Sequence, residues 1–239
     1  IEQLAKEHKV TQQTIRRDIN RLCDLGLMER FHGGAVASTK AQNIGHEARR
    51  KIMPGRKAAI AARLVAEVPD GSSLFLDIGT TMTAVAHALR NRSDLRIVTN
   101  NLEAAQILAD REDFEVICTG GVTRPLDGAA VGEEAVRTIQ RYYTDFAIIG
   151  TSGIDRTGYI LDFDLRKVRA SEAMIENGNK VLLGVDHTKF DRRAMIKSCQ
   201  LDEIDLMVTD AELPDWLADL SRKYDCPSIV VEAADEPEE

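Results

Sequence analysis

One unit recurs along most of this sequence: a short apolar run that stops abruptly at small or polar residues, most often followed by a helical pattern. Leu74-Phe75-Leu76 leads into Asp77-Ile78-Gly79-Thr80-Thr81 and a helix through Leu89. Leu95-Arg96-Ile97-Val98 leads into Thr99-Asn100-Asn101 and a helix through Leu108. Phe114 to Cys118 runs into Thr119-Gly120-Gly121, and Phe146 to Ile149 into Gly150-Thr151-Ser152-Gly153-Ile154-Asp155. Val181 to Val185 runs into Asp186-His187-Thr188-Lys189-Phe190, and Leu206 to Val208 into Thr209-Asp210 and a helix around Trp216. Near-continuous apolar strands alternating with helices predict a mainly parallel α/β sheet with both faces covered. Ligands of such open sheets bind beyond the carboxyl ends of the strands. Gly, Thr, Asn, Asp and Lys collect at several of those ends at once, which argues for a small-molecule pocket. No stretch approaches the ~18 consecutive apolar residues of a membrane span, so no membrane partner is expected.

The charge is divided unevenly. Residues 1–57 hold twelve Lys/Arg against six Asp/Glu, a net +6, whereas residues 58–239 hold 19 against 33, a net −14. A basic head on an acidic body is expected where only one end meets a phosphate backbone. Within the head, Ile1, Leu4 and Ala5 share one helical face, and His8-Lys9-Val10 breaks the pattern. Thr11 then suits the N-cap of a second helix, in which Ile15, Ile19 and Leu22 form a buried stripe. Gln12, Gln13, Arg16 and Arg17 lie off that stripe on the first exposed turns, where a helix-turn-helix meets base edges. Gln pairs with adenine and Arg with guanine in bidentate fashion, and Thr14 suits a phosphate or a thymine methyl. Gly26 to Ala35 reads as strand, glycine turn and return strand, a wing with Arg30 and His32 near its tip for backbone or minor groove.

These readings predict a winged helix-turn-helix over residues 1–36, a linker over 37–56, an effector-binding and oligomerisation domain over 57–233 and an acidic tail over 234–239. An Ala-rich helix is expected over 57–68. The chain opens inside a helical pattern without an initiator methionine, so residues upstream of Ile1 are expected and the DNA-binding domain is expected to be truncated. Cys23, Cys118, Cys199 and Cys226 are scattered without C-x-x-C spacing, so neither a metal site nor a redox pair is expected. Reduced thiols point to the cytoplasm. No cofactor is expected.

At the strand ends, Gly79-Thr80-Thr81 marks a turn from strand to helix, where glycine lets the backbone approach an anion and the helix N-terminus supplies free N–H groups. Taken alone, that turn reads better as a tight turn whose threonines cap the helix. Gly121 with Arg124, and Lys189, offer close backbone and countercharge; Asp77, Asn100, Asn101 and Asp155 suit sugar or polyol hydroxyls, or else ordinary turns.

T-Q-Q-T-I-R-R-D-I-N-R-L followed by R-F-H-G-G-A resembles the DNA-binding signature of the DeoR family, in which another helix precedes the position of Ile1. The body resembles the same family through D-I-G-T-T, T-N-N, G-G, G-T-S-G-I-D and D-H-T-K-F, so the resemblance spans nearly the whole chain. It implies a repressor of double-stranded operator DNA, a homodimer or homotetramer and not an enzyme, whose effector domain is similar to the sugar-phosphate isomerase fold and takes a phosphorylated inducer. It carries over as ligand residues Asp77, Gly79, Thr80, Thr81, Asn100, Asn101, Gly121, Gly150, Asp155 and Lys189. H-A-L-R-N-R-S-D-L-R-I-V-T-N-N, and A-M-I-E-N-G with V-D-H-T-K-F, resemble the members concerned with glycerol catabolism and imply glycerol 3-phosphate as the inducer.

One stretch departs. Where the family places a glutamate and, four residues on, a Lys-Arg pair, this chain has Lys167, Ser171 and Glu172. If these line the pocket, ligand identity or response is altered; if they form an exposed pair, little changes. Two other classes therefore remain open. A sugar-phosphate isomerase-like enzyme would need a carboxylate base, for which Asp77, Asp155 or Asp164 are available, though no nucleophile–base pair or metal cluster is visible. A dimerisation scaffold without ligand, or a differently tuned paralogue, draws on the altered stretch.

Overall fold

The computed structural model describes residues 1–24, 28–31, 34–37, 49–125 and 127–232. They divide into two compact units, Ile1–Ile52 and Met53–Glu239.

In the first unit, helix α1 (Glu2–Glu7) is followed by α2 (Gln12–Asp24) and an antiparallel hairpin of β1 (Met28–Phe31) and β2 (Gly34–Ala37). Lys9 takes the left-handed conformation (φ 55°) just past the end of α1. This lets the Val10 N–H reach back to the Ala5 carbonyl at 3.0 Å and the Lys9 N–H to that of Lys6 at 3.4 Å. That pair of bonds satisfies the carbonyls a helix end leaves open and sets the tight turn. Thr11 caps α2 as its position predicts, accepting the Thr14 N–H at 3.1 Å. Ala5 of α1 and Ile15 of α2 are buried, while Ile19 and Leu22 are half-buried.

The second unit opens with α3 (Pro54–Ala66), three residues earlier than the apolar pattern suggests. Proline explains the early start, because its fixed φ and missing N–H suit the first helical position. Then follow β3 (Ser73–Leu76), α4 (Thr80–Leu89), β4 (Arg96–Thr99), α5 (Leu102–Leu108) and β5 (Glu115–Cys118). A short hairpin, β6 (Val122–Arg124) and β7 (Ala129–Val131), precedes α6 (Glu133–Ile139) and β8 (Thr144–Gly150). Next come β9 (Gly153–Ile154), β10 (Tyr159–Asp162), α7 (Leu165–Asn177), β11 (Gly178–Val185) and β12 (Ile196–Gln200). The described chain closes with β13 (Leu206–Thr209), α8 (Asp215–Lys223) and β14 (Ser228–Val230).

Seven strands form one sheet in the order β14-β13-β11-β8-β3-β4-β5, and every pair in it is parallel. This is the predicted mainly parallel α/β architecture. Side chains alternate along each strand, so the sheet carries two cores. On one face Leu74, Leu76, Ile97, Ile148 and Val208 meet Ile60, Leu64, Met82 and Leu89 of α3 and α4. On the other, Phe75, Val98, Ile149, Leu183 and Met207 meet Ile139, Ala170, Met174 and Leu217 of α6, α7 and α8. At Gly184 helix and sheet approach closely: a Cβ there would lie 2.8 Å from Leu64 Cδ1.

The antiparallel sheet β12-β10-β9 and the β6–β7 hairpin lie outside the alternation that the apolar runs predict. Their strands are two to five residues long, too short for a periodic signal to mark them. The strand order contains a reversal. The chain leaves β3 outward to β5, then returns to lay β8 against the other side of β3. Open sheets place ligands at such a reversal, beyond the carboxyl ends of the two central strands.

Candidate functional site

Asp77 stands at that reversal, immediately after β3, and its side chain is fully buried. Its N–H continues the ladder to the Ile148 carbonyl of β8 at 3.0 Å. Its Oδ2 accepts the Ser171 hydroxyl of α7 at 3.0 Å. One helical turn before Ser171, the buried Lys167 ammonium bonds Asp162 Oδ2 at the end of β10, and the Ser152 hydroxyl donates to the same oxygen at 3.0 Å. Lys167 and Ser171 are thus not a surface pair. They belong to a buried polar cluster of Asp77, Ser171, Lys167, Asp162 and Ser152, from which the half-buried Glu172 is absent. Burial pushes the Asp77 carboxyl above its ordinary value, with the Lys167 charge pulling the other way. Burial acts on Asp162 too, but there the adjacent Lys167 ammonium prevails and holds the carboxyl below the usual range.

Asn100 occupies the same position on the neighbouring strand. The last register pairs of β3 and β4 are Phe75 with Val98 and Leu76 with Thr99, so Asp77 and Asn100 follow side by side. The Asn100 amide nitrogen donates to the Ala130 carbonyl of β7 at 3.3 Å, and the Ala130 N–H bonds the Asn100 carbonyl at 2.8 Å. Because a carbonyl only accepts, this contact fixes which end of the amide is nitrogen. Asp77 Oδ1 and Asn100 Oδ1 are both buried and accept no hydrogen bond from the described residues.

Two residues past Asp77, Gly79 adopts φ 125°, a conformation that favours glycine, and α4 begins without a side-chain cap. The N–H groups of its first turn are open, with Thr80 and Thr81 half-buried beside them. Thr83, further along, turns its hydroxyl to Glu103 at 3.3 Å. An uncapped helix start with two threonines is suited to an anion.

The other predicted ligand residues divide. Asn101 caps α5 by accepting the Ala104 N–H at 3.1 Å. Gly121 (φ 111°) lets the chain pass beneath β7, since a Cβ there would lie 2.8 Å from the Val131 carbonyl oxygen. Gly150 ends β8 at the reversal. Arg124 pairs with Asp127 in its own hairpin and with Asp164 at 2.7 Å, clamping the hairpin to the start of α7. The Lys189 ammonium lies 3.0 Å from the Thr188 hydroxyl and 3.4 Å from Asp186 Oδ2, in the short 3₁₀ helix that follows β11. Asp155 is in the β9–β10 turn, where its Oδ1 accepts from the Thr157 N–H (2.8 Å), the Thr157 hydroxyl (2.7 Å) and the Tyr159 N–H (3.0 Å). The structure brings Asp155 to its own turn rather than to Asp77 and Asn100.

Asp164, the third carboxylate considered as a general base, is engaged as Asp155 is. Asp164 is the N-cap of α7, and the Arg166 guanidinium first, with Arg124, holds it far below the ordinary carboxylate range. Among the described residues no group of three His, Cys, Asp or Glu is arranged to hold a metal ion, and no helix is long and apolar enough to cross a membrane. Sequence reasoning missed Asp162 and Ser152. It also missed a link in which the buried Asp210, after β13, accepts from the His187 N–H (2.7 Å) and meets Arg56 of α3 (3.2 Å). The T-D and D-H-T-K-F segments were the only signal, and neither shows its partner.

On the first unit, Thr11, Gln12, Gln13, Thr14, Arg16 and Arg17 are exposed along the first turns of α2, and the Thr14 hydroxyl bonds that of Thr11 at 2.8 Å. Arg30 falls in β1. His32 lies outside the described residues, as does the acidic tail.

A helix-turn-helix unit followed by an open parallel sheet with an acceptor-rich cluster at its reversal defines a DNA-binding regulator with a sensor domain. Residues 1–41 match the family described as DeoR-like helix-turn-helix domain and residues 53–211 the DeoR C terminal sensor domain. The chain belongs to the DeoR family. It is 45% identical over 213 residues to the glycerol-3-phosphate regulon repressor of Escherichia coli (strain K12), covering 89% of this chain and 84% of that one. Identity to the Haemophilus influenzae protein of the same name is 41%, covering 87% and 81%. The HTH-type transcriptional repressor CsqR of E. coli is 35% identical, covering 90% and 82%. Among solved structures, ribose 5-phosphate isomerase A of Methanocaldococcus jannaschii is 17% identical with a TM-score of 0.40, over 56% of this chain and 53% of that one.

Proposed function

We propose that the chain is a transcriptional repressor of a glycerol or carbohydrate catabolic operon, released from its operator by a phosphorylated metabolite, glycerol 3-phosphate. The observation that carries the sensor half is the coincidence, at the reversal of the sheet, of an uncapped helix start with two buried acceptors, Asp77 Oδ1 and Asn100 Oδ1. Thr80, Thr81 and the open N–H groups receive the phosphate, and the acceptors receive the polar carbon chain. Gly121 follows β5 and Lys189 follows β11, each two strands from β3 on opposite sides. Operator DNA meets Gln12, Gln13, Arg16 and Arg17, and a two-fold operator is met by a homodimer or a homotetramer built from it. Effector and operator then oppose one another through linkage: whatever the effector subtracts from DNA affinity, DNA subtracts from effector affinity. The names of the relatives support the glycerol reading.

Deleting the gene tests the repressor half. A reporter fused to the neighbouring promoter becomes active without inducer in the deleted cells; a reporter that stays silent there removes repression from the account.

A further inference from the structure

Met53 opens the second unit in a conformation that its sequence disfavours twice. It is left-handed (φ 51°, ψ 50°) although it carries a side chain, and it precedes Pro54, where extended backbone is preferred. Of the five described non-glycine residues with positive φ, three are aspartates, whose short polar side chain tolerates that region, and Lys9 closes the end of a helix. Met53 has neither feature. Its carbonyl accepts the Lys57 N–H at 3.1 Å and so begins α3. Backbone held against its local preference persists only where surrounding contacts hold it. The contact in reach is Arg56, in the first turn of α3, whose guanidinium lies 3.2 Å from Asp210 Oδ2 at the end of β13. The Asp210 side chain is fully buried, with Oδ1 accepting the His187 N–H at 2.7 Å and Oδ2 lying 2.8 Å from His187 Nδ1. His187 begins the 3₁₀ helix that ends at Lys189. Asp210 is therefore a joint between the Lys189 turn and the first turn of α3. The Arg56 contact is the longest of these, and Arg56, 33% exposed, can exchange it for water.

We propose that Met53 and the Arg56–Asp210 pair form a latch at the entrance to the effector domain, closed with operator bound and opened by an anion at Lys189. The inference rests on the effector reading above and adds the route by which the site acts on the chain that leads to the DNA-binding unit. With the pair closed, the start of α3 is pinned to the end of β13 and Met53 stays left-handed. An anion drawn to Lys189 competes with Asp186 Oδ2, 3.4 Å away, and shifts the 3₁₀ turn. Asp210 follows His187, Arg56 is released, and Met53 relaxes to the extended form that a residue before proline prefers. The chain then enters α3 from another direction. Effector and operator need only differ in which state they favour, the effector the open latch and the operator the closed one.

The test follows release of labelled operator from the full chain by glycerol 3-phosphate at fixed salt, in the wild type, Met53→Gly, Met53→Ala and Arg56→Ala. Glycine enters the left-handed region freely, so Met53→Gly keeps the latch closed and is expected to raise the half-release concentration about 5- to 30-fold. Alanine shares the preference of methionine, and Met53→Ala should stay near the wild type. Arg56→Ala opens the latch and should lower the half-release concentration about 3- to 10-fold, with weaker operator binding before any effector is added. Opposite shifts in the two variants separate a latch from a loss of stability, which would weaken operator binding in both. Equal behaviour of Met53→Gly and Met53→Ala, or shifts of the same sign in Met53→Gly and Arg56→Ala, overturns the latch and leaves the effector reading standing. No release of the wild type by glycerol 3-phosphate overturns both. Should Arg56→Ala not fold, the two Met53 variants decide alone.

Discussion

Lys167 is the residue on which the polar cluster turns. It stands within a buried network with two carboxylates, so its removal leaves charge without compensation rather than merely deleting a contact. Breaking one side of such a pair costs about 3–5 kcal/mol. Lys167→Met is therefore expected to lower the unfolding free energy by that order in urea titration, whereas loss of an exposed pair such as Arg137–Glu133 changes it little. Asp77 makes a separate prediction, in pH. Its folded carboxyl holds a proton to higher pH than the unfolded chain does. Its contribution to stability is therefore greatest in acid and is lost as pH rises from the unfolded carboxylate range through the folded value. Relative to Asp77→Asn, the wild-type chain should gain stability as pH falls across that window; a gain in the opposite direction would mean that the Lys167 charge, not burial, governs Asp77.

At the scale of elements, two turns carry disproportionate weight. Thr11→Ala removes the acceptor of the Thr14 N–H at the start of α2 and is expected to cost about 1 kcal/mol, read in thermal unfolding of the first unit. Gly121→Ala combines a positive φ with a Cβ 2.8 Å from the Val131 carbonyl. It should cost on the order of 1–3 kcal/mol and loosen β7 against the end of β4, read as faster amide exchange at Ala130, whose N–H bonds the Asn100 carbonyl. The same elements show what the sequence makes legible. Six strands of the large sheet are written as apolar runs, so they are visible one strand at a time. The seventh, Ser228–Val230, is three residues long at an edge, and its run Ile229-Val230-Val231 has no helical pattern after it among the described residues. Gly79 and its threonines are legible because a strand-to-helix turn is local. The Asp77–Ser171 bond spans 94 positions and the Arg56–Asp210 bond 154, and no local pattern encodes such a partner. Asp155 and Arg124 have the residue types of a ligand site, yet Asp155 serves its own turn and Arg124 bonds two carboxylates.

For the whole molecule, the charge division decides how it meets DNA. A net +6 over residues 1–57 and −14 beyond them mean that the body repels the polyanion and only the head attracts it. Operator affinity should fall steeply with salt, the logarithm of affinity declining by roughly 0.9 per phosphate neutralised. Arg16→Ala is expected to cost about 1–3 kcal/mol for the operator and far less for unrelated duplex, measured at one salt concentration. The most direct test of the central claim follows the anisotropy of labelled operator bound to the chain at fixed salt, while glycerol 3-phosphate, fructose 1-phosphate or inorganic phosphate is added. The account predicts release by glycerol 3-phosphate and retention with the other two. Retention with all three, on DNA that is otherwise bound normally, would contradict it.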